Sequence, residues 1–258
     1  MSGDTWSGLP VGPVVVPDAV TELARQSAIT PVWRNELGGL TFRLDDERGG
    51  ARYVKWVSGG TPEIDLPGEA VRLAWARQWA PVPTVIEEGA DGYGEWLVTA
   101  AMPGRSAVDP RWVERPEVAA AAIGRGLRLL HDTLPVDRCP FDWSVGRRLS
   151  AAGERATDRH AFAVAMARLG EPPPIDRLVV CHGDACTPNT LIHDDGTFAA
   201  HVDLGSLGVA DRWADLAVGA WSTEWNYGPG YDGIVYSAYG VAPDPVRIAY
   251  YRELWDLT

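Results

Sequence analysis

Three side chains in the second half of the chain have the types and spacing that phosphoryl transfer needs. Asp184 and Asn189 lie five residues apart in the run 179–192, and Asp203 opens Asp203-Leu204-Gly205. Val179 and Val180 lead into His182-Gly183-Asp184, and Thr190-Leu191-Ile192 follows. This reads as a tight polar loop between two short buried strands. A further strand over 198–202 delivers Asp203, so adjacent loops present all three side chains. An aspartate so placed can orient a hydroxyl and accept its proton, while an amide oxygen and a second carboxylate suit magnesium, a hard cation that takes oxygen ligands and keeps waters. The competing reading is a polar Asx-turn loop with no chemistry. It accounts for Asp184 alone but not for three residues in this order.

Asp, Asn five residues on, and a later Asp-x-Gly is the order found in a kinase catalytic loop and its metal-binding turn. No Gly-x-x-x-x-Gly-Lys-Ser/Thr run occurs, which excludes a Walker-type phosphate loop. Phosphate binding therefore falls to Lys55, in Tyr53-Val54-Lys55-Trp56-Val57, with a carboxylate from the next helix to hold it. Glu69 is the candidate partner. Glu63 is the other option, but its flanking proline argues against a regular helix there. Lys55 could equally be an outward lysine on an edge strand. Gly38-Gly39 could cover nucleotide phosphates, although a two-glycine hairpin is common without that role.

His182, His193, His201 and Asp184 lack zinc spacing, and Cys181 and His182 are adjacent, so both cannot face one site. Cys186 has no base placed to make it a nucleophile. His182 is expected to pack in the loop and hydrogen-bond its backbone. Asp215, among apolar neighbours, is expected to be a structural acceptor able to fix the loop's amides. Trp213, Trp221, Trp225 and Trp255 read as packing residues, some with the option of stacking on a sugar.

The elements that must position these residues divide in two. Residues 17–28 form a short helix, 32–46 a hairpin turning at Leu37-Gly38-Gly39-Leu40, and 52–57 a third strand. A helix over 66–79 stops before Pro81, and strands over 82–90 and 95–101 follow. Beyond Pro103-Gly104 the pattern becomes helical: 109–131, with Asp109 as N-cap and Ile123, Leu127 and Leu130 inward, then 143–169. After the catalytic loop come helices over 211–225, 233–239 and 245–255. The expectation is an α+β fold: a small antiparallel-sheet lobe with one helix inserted after the third strand, residues 1–101, and a larger helical lobe, residues 102–258.

The chain has 258 residues, and 46% of them are hydrophobic. Its net charge of −12 argues against nucleic-acid binding and suits a cationic partner. Residues 1–16 lack the basic start and apolar stretch of a secretory leader, and no run is long enough to span a membrane. With three cysteines, the expectation is a soluble cytoplasmic protein with reduced thiols.

Cys181-His182-Gly183-Asp184-Ala185-Cys186-Thr187-Pro188-Asn189, the run from His201 to Ala217, and Leu130-His131 with Val136-Asp137-Arg138-Cys139-Pro140-Phe141 resemble the aminoglycoside phosphotransferases. Trp221-Ser222-Thr223-Glu224-Trp225-Asn226-Tyr227-Gly228 and the segment from Tyr250 to Leu257 look most like the streptomycin 3''-phosphotransferases of actinomycetes. The resemblance implies a protein-kinase-like bilobal fold. It also implies magnesium-dependent transfer of the γ-phosphate of ATP to the 3''-hydroxyl of streptomycin, and so resistance by inactivation. Asp184 then matches the catalytic aspartate, Asn189 and Asp203 the magnesium ligands, and Lys55 with Glu69 the phosphate-binding pair. Ala100 and Met102 match the positions whose backbone meets adenine, and Gly38 and Gly39 keep a short form of the glycine loop. Gly183 stands where protein kinases carry an arginine, so control by a phosphorylated activation loop is not expected.

Streptomycin carries two guanidinium groups and a methylamine, which carboxylates meet best in bidentate pairs. Glu224, Asp232 and Asp256, set among Trp225, Tyr227, Tyr231 and Trp255, are the candidate ligands; each alone could also be a solvated surface acid. The partners expected are therefore streptomycin and ATP, with no nucleic acid or membrane, acting on a monomer. The rival readings are the same chemistry on kanamycin- or neomycin-type 3'-hydroxyls, a small-metabolite kinase, and an inactive nucleotide-binding pseudokinase. The last is disfavoured because Lys55, Asp184, Asn189 and Asp203 are all present.

Overall fold

The computed structural model describes residues 8–258; residues 1–7, on which part of the leader reading falls, lie outside the described residues. The described residues divide into two compact units, 8–77 with 83–102, and 78–82 with 103–258.

The first unit is built on a five-stranded antiparallel sheet. Helix α1 (Asp18–Ala24) leads into β1 (Ala28–Arg34), β2 (Leu40–Asp45) and β3 (Ala51–Ser58). Helix α2 (Leu66–Ala76) follows, then β4 (Val85–Ala90) and β5 (Gly94–Ala100), in the spatial order β1-β2-β3-β5-β4. Strand β1 starts four residues earlier than the sequence pattern suggests. Pro31 is tolerated because β1 lies at the sheet edge and its register shifts between Pro31 and Trp33. Val20, Ala24, Phe42, Leu44, Val54 and Val98 form this unit's core.

The second unit is mainly helical. Its elements are β6 (Arg105–Ser106), α3 (Pro110–Val113), α4 (Pro116–Thr133), α5 (Val145–Arg155), α6 (Arg159–Leu169), β7 (Leu178–Cys181), β8 (Thr190–Ile192), β9 (Phe198–His201), β10 (Gly208–Asp211), α7 (Trp213–Tyr227), α8 (Asp232–Tyr239) and α9 (Pro245–Leu257). The single helix expected over 109–131 is two. Asp109 caps α3, and Pro116, which has no N–H to donate, can only begin a new helix. Likewise 143–169 breaks before Asp158, whose side chain accepts the amides of His160 and Ala161, both at 2.9 Å, and starts α6.

Strand β10 was not legible in the sequence. It pairs antiparallel with β7, Gly208 opposite Cys181, and so delays α7 to Trp213. Helices α4, α7, α8 and α9 pack around Ile123, Leu127, Trp213, Leu216, Tyr236 and Leu254. No helix among the described residues is long and apolar enough to cross a membrane.

Candidate active site

In the first unit Lys55 lies on β3, opposite Leu97 of β5 and Thr41 of β2. Its Nζ donates to both carboxylate oxygens of Glu69, at 2.7 and 2.8 Å. The sequence fixes Glu69 there because Asp65 caps α2 by accepting the Gly68 amide at 2.8 Å, which sets Glu69 in the first turn. The Glu69 carboxylate is buried, while the Lys55 side chain stays partly exposed. Glu63 precedes the helix at φ 71° and is exposed, and the ion pair of Lys55 runs to Glu69.

Gly38 and Gly39 form the β1–β2 turn. Gly38 has φ 87° and donates its amide to Asn35 O, and Gly39 donates to Asn35 Oδ1 at 2.7 Å. Both amides are thus engaged within the turn. Ala100 ends β5 with its amide on Thr84 O at 2.9 Å, and Met102 closes the unit two residues later.

In the second unit β7 delivers the loop that carries Asp184. Gly183, at φ 88°, makes its turn, and a side chain there would overlap the Ser206 carbonyl oxygen. The position where protein kinases carry an arginine therefore has no room for a side chain here. Asn189 donates its Nδ2 to the Asp184 carbonyl oxygen and to Asp184 Oδ2, both at 3.0 Å. That turns the Asn189 amide oxygen away from Asp184. Asp184 Oδ1 is buried and has no hydrogen-bond partner. Burial, and then the neighbouring charge of Asp203, raise the Asp184 carboxyl above its ordinary range, against the opposing hydrogen bond of Cys186, the charge of His182 and the hydrogen bond of Asn189.

Asp203 stands at φ 64°, a left-handed conformation uncommon outside glycine and characteristic of strained functional sites. Two tethers join its segment to the loop: the Val202 amide donates to Asn189 O at 3.0 Å, and His182 Nε2 donates to Val202 O at 2.9 Å. His182 Nδ1 in turn accepts the Asp184 amide at 3.2 Å. The expectation that His182 packs and bonds its own loop is therefore met. The amide oxygen of Asn189 and the carboxylate of Asp203, on two tethered segments, make a donor pair that fits magnesium.

Asp215 takes the expected structural part, accepting the amides of His182 at 2.6 Å and Gly183 at 3.0 Å. Burial alone would raise its carboxyl. The hydrogen bond and charge of His131 reverse this, and the group lies below the usual carboxylate range. His131 reaches Asp215 at 2.9 Å and Tyr239 OH at 3.0 Å. The sequence singled out His131 only within the Leu130-His131 segment that carries the family resemblance, with no partner assigned to it. Ser222 was also missed. Its Oγ accepts the Thr187 amide at 2.9 Å and ties α7 to the catalytic loop.

The three candidate acids do not share one environment. Glu224 on α7 pairs with Arg252 of α9 at 3.8 Å, and Asp232 begins α8. Asp256 is exposed on the last turn of α9. Burial pushes the Tyr236 hydroxyl up to about 12, with the charge and hydrogen bond of Arg252 opposing the rise and the charges of Asp232 and Glu224 adding to it. Tyr236 and Arg252 were not singled out from the sequence, because a tyrosine on a buried helix and a surface-helix arginine carry no motif.

The phosphotransferase enzyme family model matches residues 33–251. An aminoglycoside 3'-phosphotransferase of Streptomyces fradiae is 38% identical over 233 residues, covering 78% of this chain and 84% of that protein. A streptomycin 3''-kinase of Streptomyces griseus is 33% identical over 259 residues, covering 88% and 91%. Among solved structures, the aminoglycoside phosphotransferase APH(3'')-Id of Streptomyces rimosus in complex with ADP and streptomycin superposes with a TM-score of 0.65. It is 27% identical, and the match covers 84% of this chain and 90% of that one.

Proposed function

This chain belongs to the phosphotransferase enzyme family and is an aminoglycoside phosphotransferase with a protein-kinase-like fold, and from that premise we propose that it phosphorylates the 3''-hydroxyl of streptomycin with ATP. Asp184 holds the acceptor hydroxyl and takes its proton. The atom available for this is Oδ1, because Oδ2 is engaged by Asn189. A base whose pKa is raised toward the working pH is a better proton acceptor in the transition state. Lys55, braced by Glu69, positions the nucleotide phosphates. Asn189 and Asp203 would hold magnesium, which when bound neutralises charge on the transferred phosphoryl group. Little covalent chemistry remains for the protein beyond positioning.

The observation that carries the choice of acceptor is the C-terminal half of α7. There Glu224 and the Trp221–Trp225 ring pair, with centroids 4.7 Å apart, share the helix turns of Ser222, which binds the catalytic loop. Carboxylates with aromatic walls suit a planar guanidinium, which streptomycin has and kanamycin lacks. The relationship to a streptomycin kinase over 259 residues supports the same choice. A second reading, transfer to the 3'-hydroxyl of kanamycin- or neomycin-type drugs, is favoured by the higher 38% identity to a 3'-phosphotransferase.

The two are separated by assaying streptomycin, kanamycin and neomycin side by side with Mg-ATP and mapping each product by phosphorus-coupled NMR. Transfer to the streptomycin 3''-oxygen is the expected result. Turnover of kanamycin with none of streptomycin overturns the 3'' assignment and leaves the phosphotransferase standing.

A further inference from the structure

The piece of chain that carries Asn189 is a single 3-10 helical turn, Thr187–Asn189, a form with poor hydrogen-bond geometry and little hold on itself. Its own backbone supplies the Asn189 amide on Cys186 O at 3.0 Å and the Thr190 amide on Thr187 O. The rest of its hold comes from outside, and each of its three residues is gripped by a different part of the second unit. The Thr187 amide donates to Ser222 Oγ of α7 at 2.9 Å. Pro188 has no amide to offer, and its carbonyl oxygen accepts the Ser106 hydroxyl of β6 at 2.8 Å. The Asn189 carbonyl oxygen accepts the Val202 amide at 3.0 Å, from the segment that carries Asp203. The two serines are in turn braced. Asn226 Nδ2, one helical turn further along α7, donates to Ser222 O at 2.7 Å and to Ser222 Oγ at 3.3 Å. Tyr227 donates its hydroxyl to Ala107 O at 2.7 Å, and the Ala107 amide donates to Thr190 O at 2.8 Å. Helix α7, strand β6 and the turn are thus closed into a ring of hydrogen bonds. With the backbone held on three sides and Asn189 Nδ2 on Asp184, the Asn189 amide oxygen has one direction left to it.

Resting on the reading of Asn189 as a magnesium ligand, we propose that Ser106 and Ser222 are positioning residues for the metal, acting through the turn 187–189, with Tyr227 fixing the spacing between them. Without the Ser222 hydroxyl the buried Thr187 amide loses its acceptor, and the turn is free to rotate. Without the Ser106 hydroxyl Pro188 is released on the opposite side. Either loss moves the Asn189 amide oxygen, and magnesium demands near-ideal octahedral geometry from its ligands. Groups that orient a metal ligand from behind matter to affinity by about 10–100-fold. A clamp that is merely structural costs stability and leaves metal affinity alone.

Manganese suits the same oxygen ligands as magnesium, and its binding is read without turnover. With AMP-PNP present, the EPR signal of free Mn²⁺ falls as the protein takes up the ion. Ser106→Ala and Ser222→Ala are each expected to raise the Mn²⁺ concentration for half-occupancy about tenfold. Ser106→Thr keeps the hydroxyl and should bind as wild type does. Thr133→Ala, whose hydroxyl bonds only carbonyls of its own helix, is the control and should not shift. In turnover of an accepted aminoglycoside, the two alanine variants should need more magnesium while the acceptor KM stays unchanged. Melting in chelator reports folding separately. Should Ser222→Ala fail to fold, Ser106→Ala, at a partly exposed position, decides alone. Mn²⁺ curves of the folded alanine variants that superimpose on wild type overturn the proposal, whatever happens to Tm. Asn189→Ala run beside them separates two failures. If it shifts, the positioning role alone is lost; if it does not, the metal assignment of Asn189 falls as well.

Discussion

The carboxylate of Asp215 accepts the backbone N–H of His182 at 2.6 Å, from α7, thirty-three positions further along the chain. A second bond from Gly183 at 3.0 Å and the contact from His131 at 2.9 Å complete the anchor. The loop that aims Asp184 is therefore held by a fully buried acid rather than by its own turn. Replacing Asp215 with Ala orphans two buried amides and leaves the buried His131 with only Tyr239 OH. The expected loss is about 3–5 kcal/mol of stability, the scale for breaking one partner of a buried charged network. Asp215→Asn keeps one acceptor oxygen and should lose less. Urea denaturation of both variants checks this, and equal stabilities for wild type and Asp215→Ala contradict it.

Gly183→Ala should be among the most damaging single-methyl changes in the chain. It places a Cβ against the Ser206 carbonyl oxygen at a φ of 88°, where side chains are strained whatever the space. A stability loss of about 2 kcal/mol or more is expected, with activity falling alongside because Asp184 is the next residue. Gly146→Ala, where nothing lies within 4 Å, is the control. The two variants melting together would show that the loop can shift to admit a side chain.

His201 gives the fold an acid sensitivity. Its ring is buried, packs against His182 at 5.2 Å and Phe198 at 4.7 Å, and neither ring nitrogen has a hydrogen-bond partner. Burial lowers its pKa from 6.5 to about 3. The unfolded chain therefore binds a proton in that window and the folded chain does not. Stability from this group is present above pH 6.5 and is lost as pH falls toward 3. In chelator, the Tm of wild type should drop between pH 6.5 and 4 more steeply than that of His201→Phe. Parallel curves would remove His201 as the source.

Much of this was legible because the residues involved are local. The spacing of Asp184, Asn189 and Asp203, and the capped helix carrying Glu69, are short-range facts, and the loop and ion pair follow from them. What the sequence hid was non-local. Strand β10 is four residues long and exists only by pairing with β7. The role of His131 depends on Asp215, eighty-four positions away. Arg252 meets Glu224 and the Trp221 ring only because α9 packs on α7. The helix expected over 109–131 failed at Pro116, a local signal that the apolar periodicity on either side outweighed.

The metal requirement should respond to Asn189. Its amide nitrogen is committed to Asp184, which leaves the oxygen for a cation. Asn189→Ala removes that oxygen and also frees the Asp184 carboxylate. The magnesium concentration for half-maximal activity should rise about tenfold or more, the scale for loss of a single ligand or its support. Magnesium titrations that superimpose on wild type would take Asn189 out of the metal site.

The most direct test of the whole account is turnover by Asp184→Ala, measured with Mg-ATP and an accepted aminoglycoside, beside ATP affinity measured on the same folded protein. The reading of Asp184 as the group that holds and deprotonates the acceptor hydroxyl requires kcat to fall about 10²–10⁴-fold while ATP binds as in wild type. A folded Asp184→Ala enzyme with near wild-type kcat, or one whose only defect is loss of ATP binding, would contradict it.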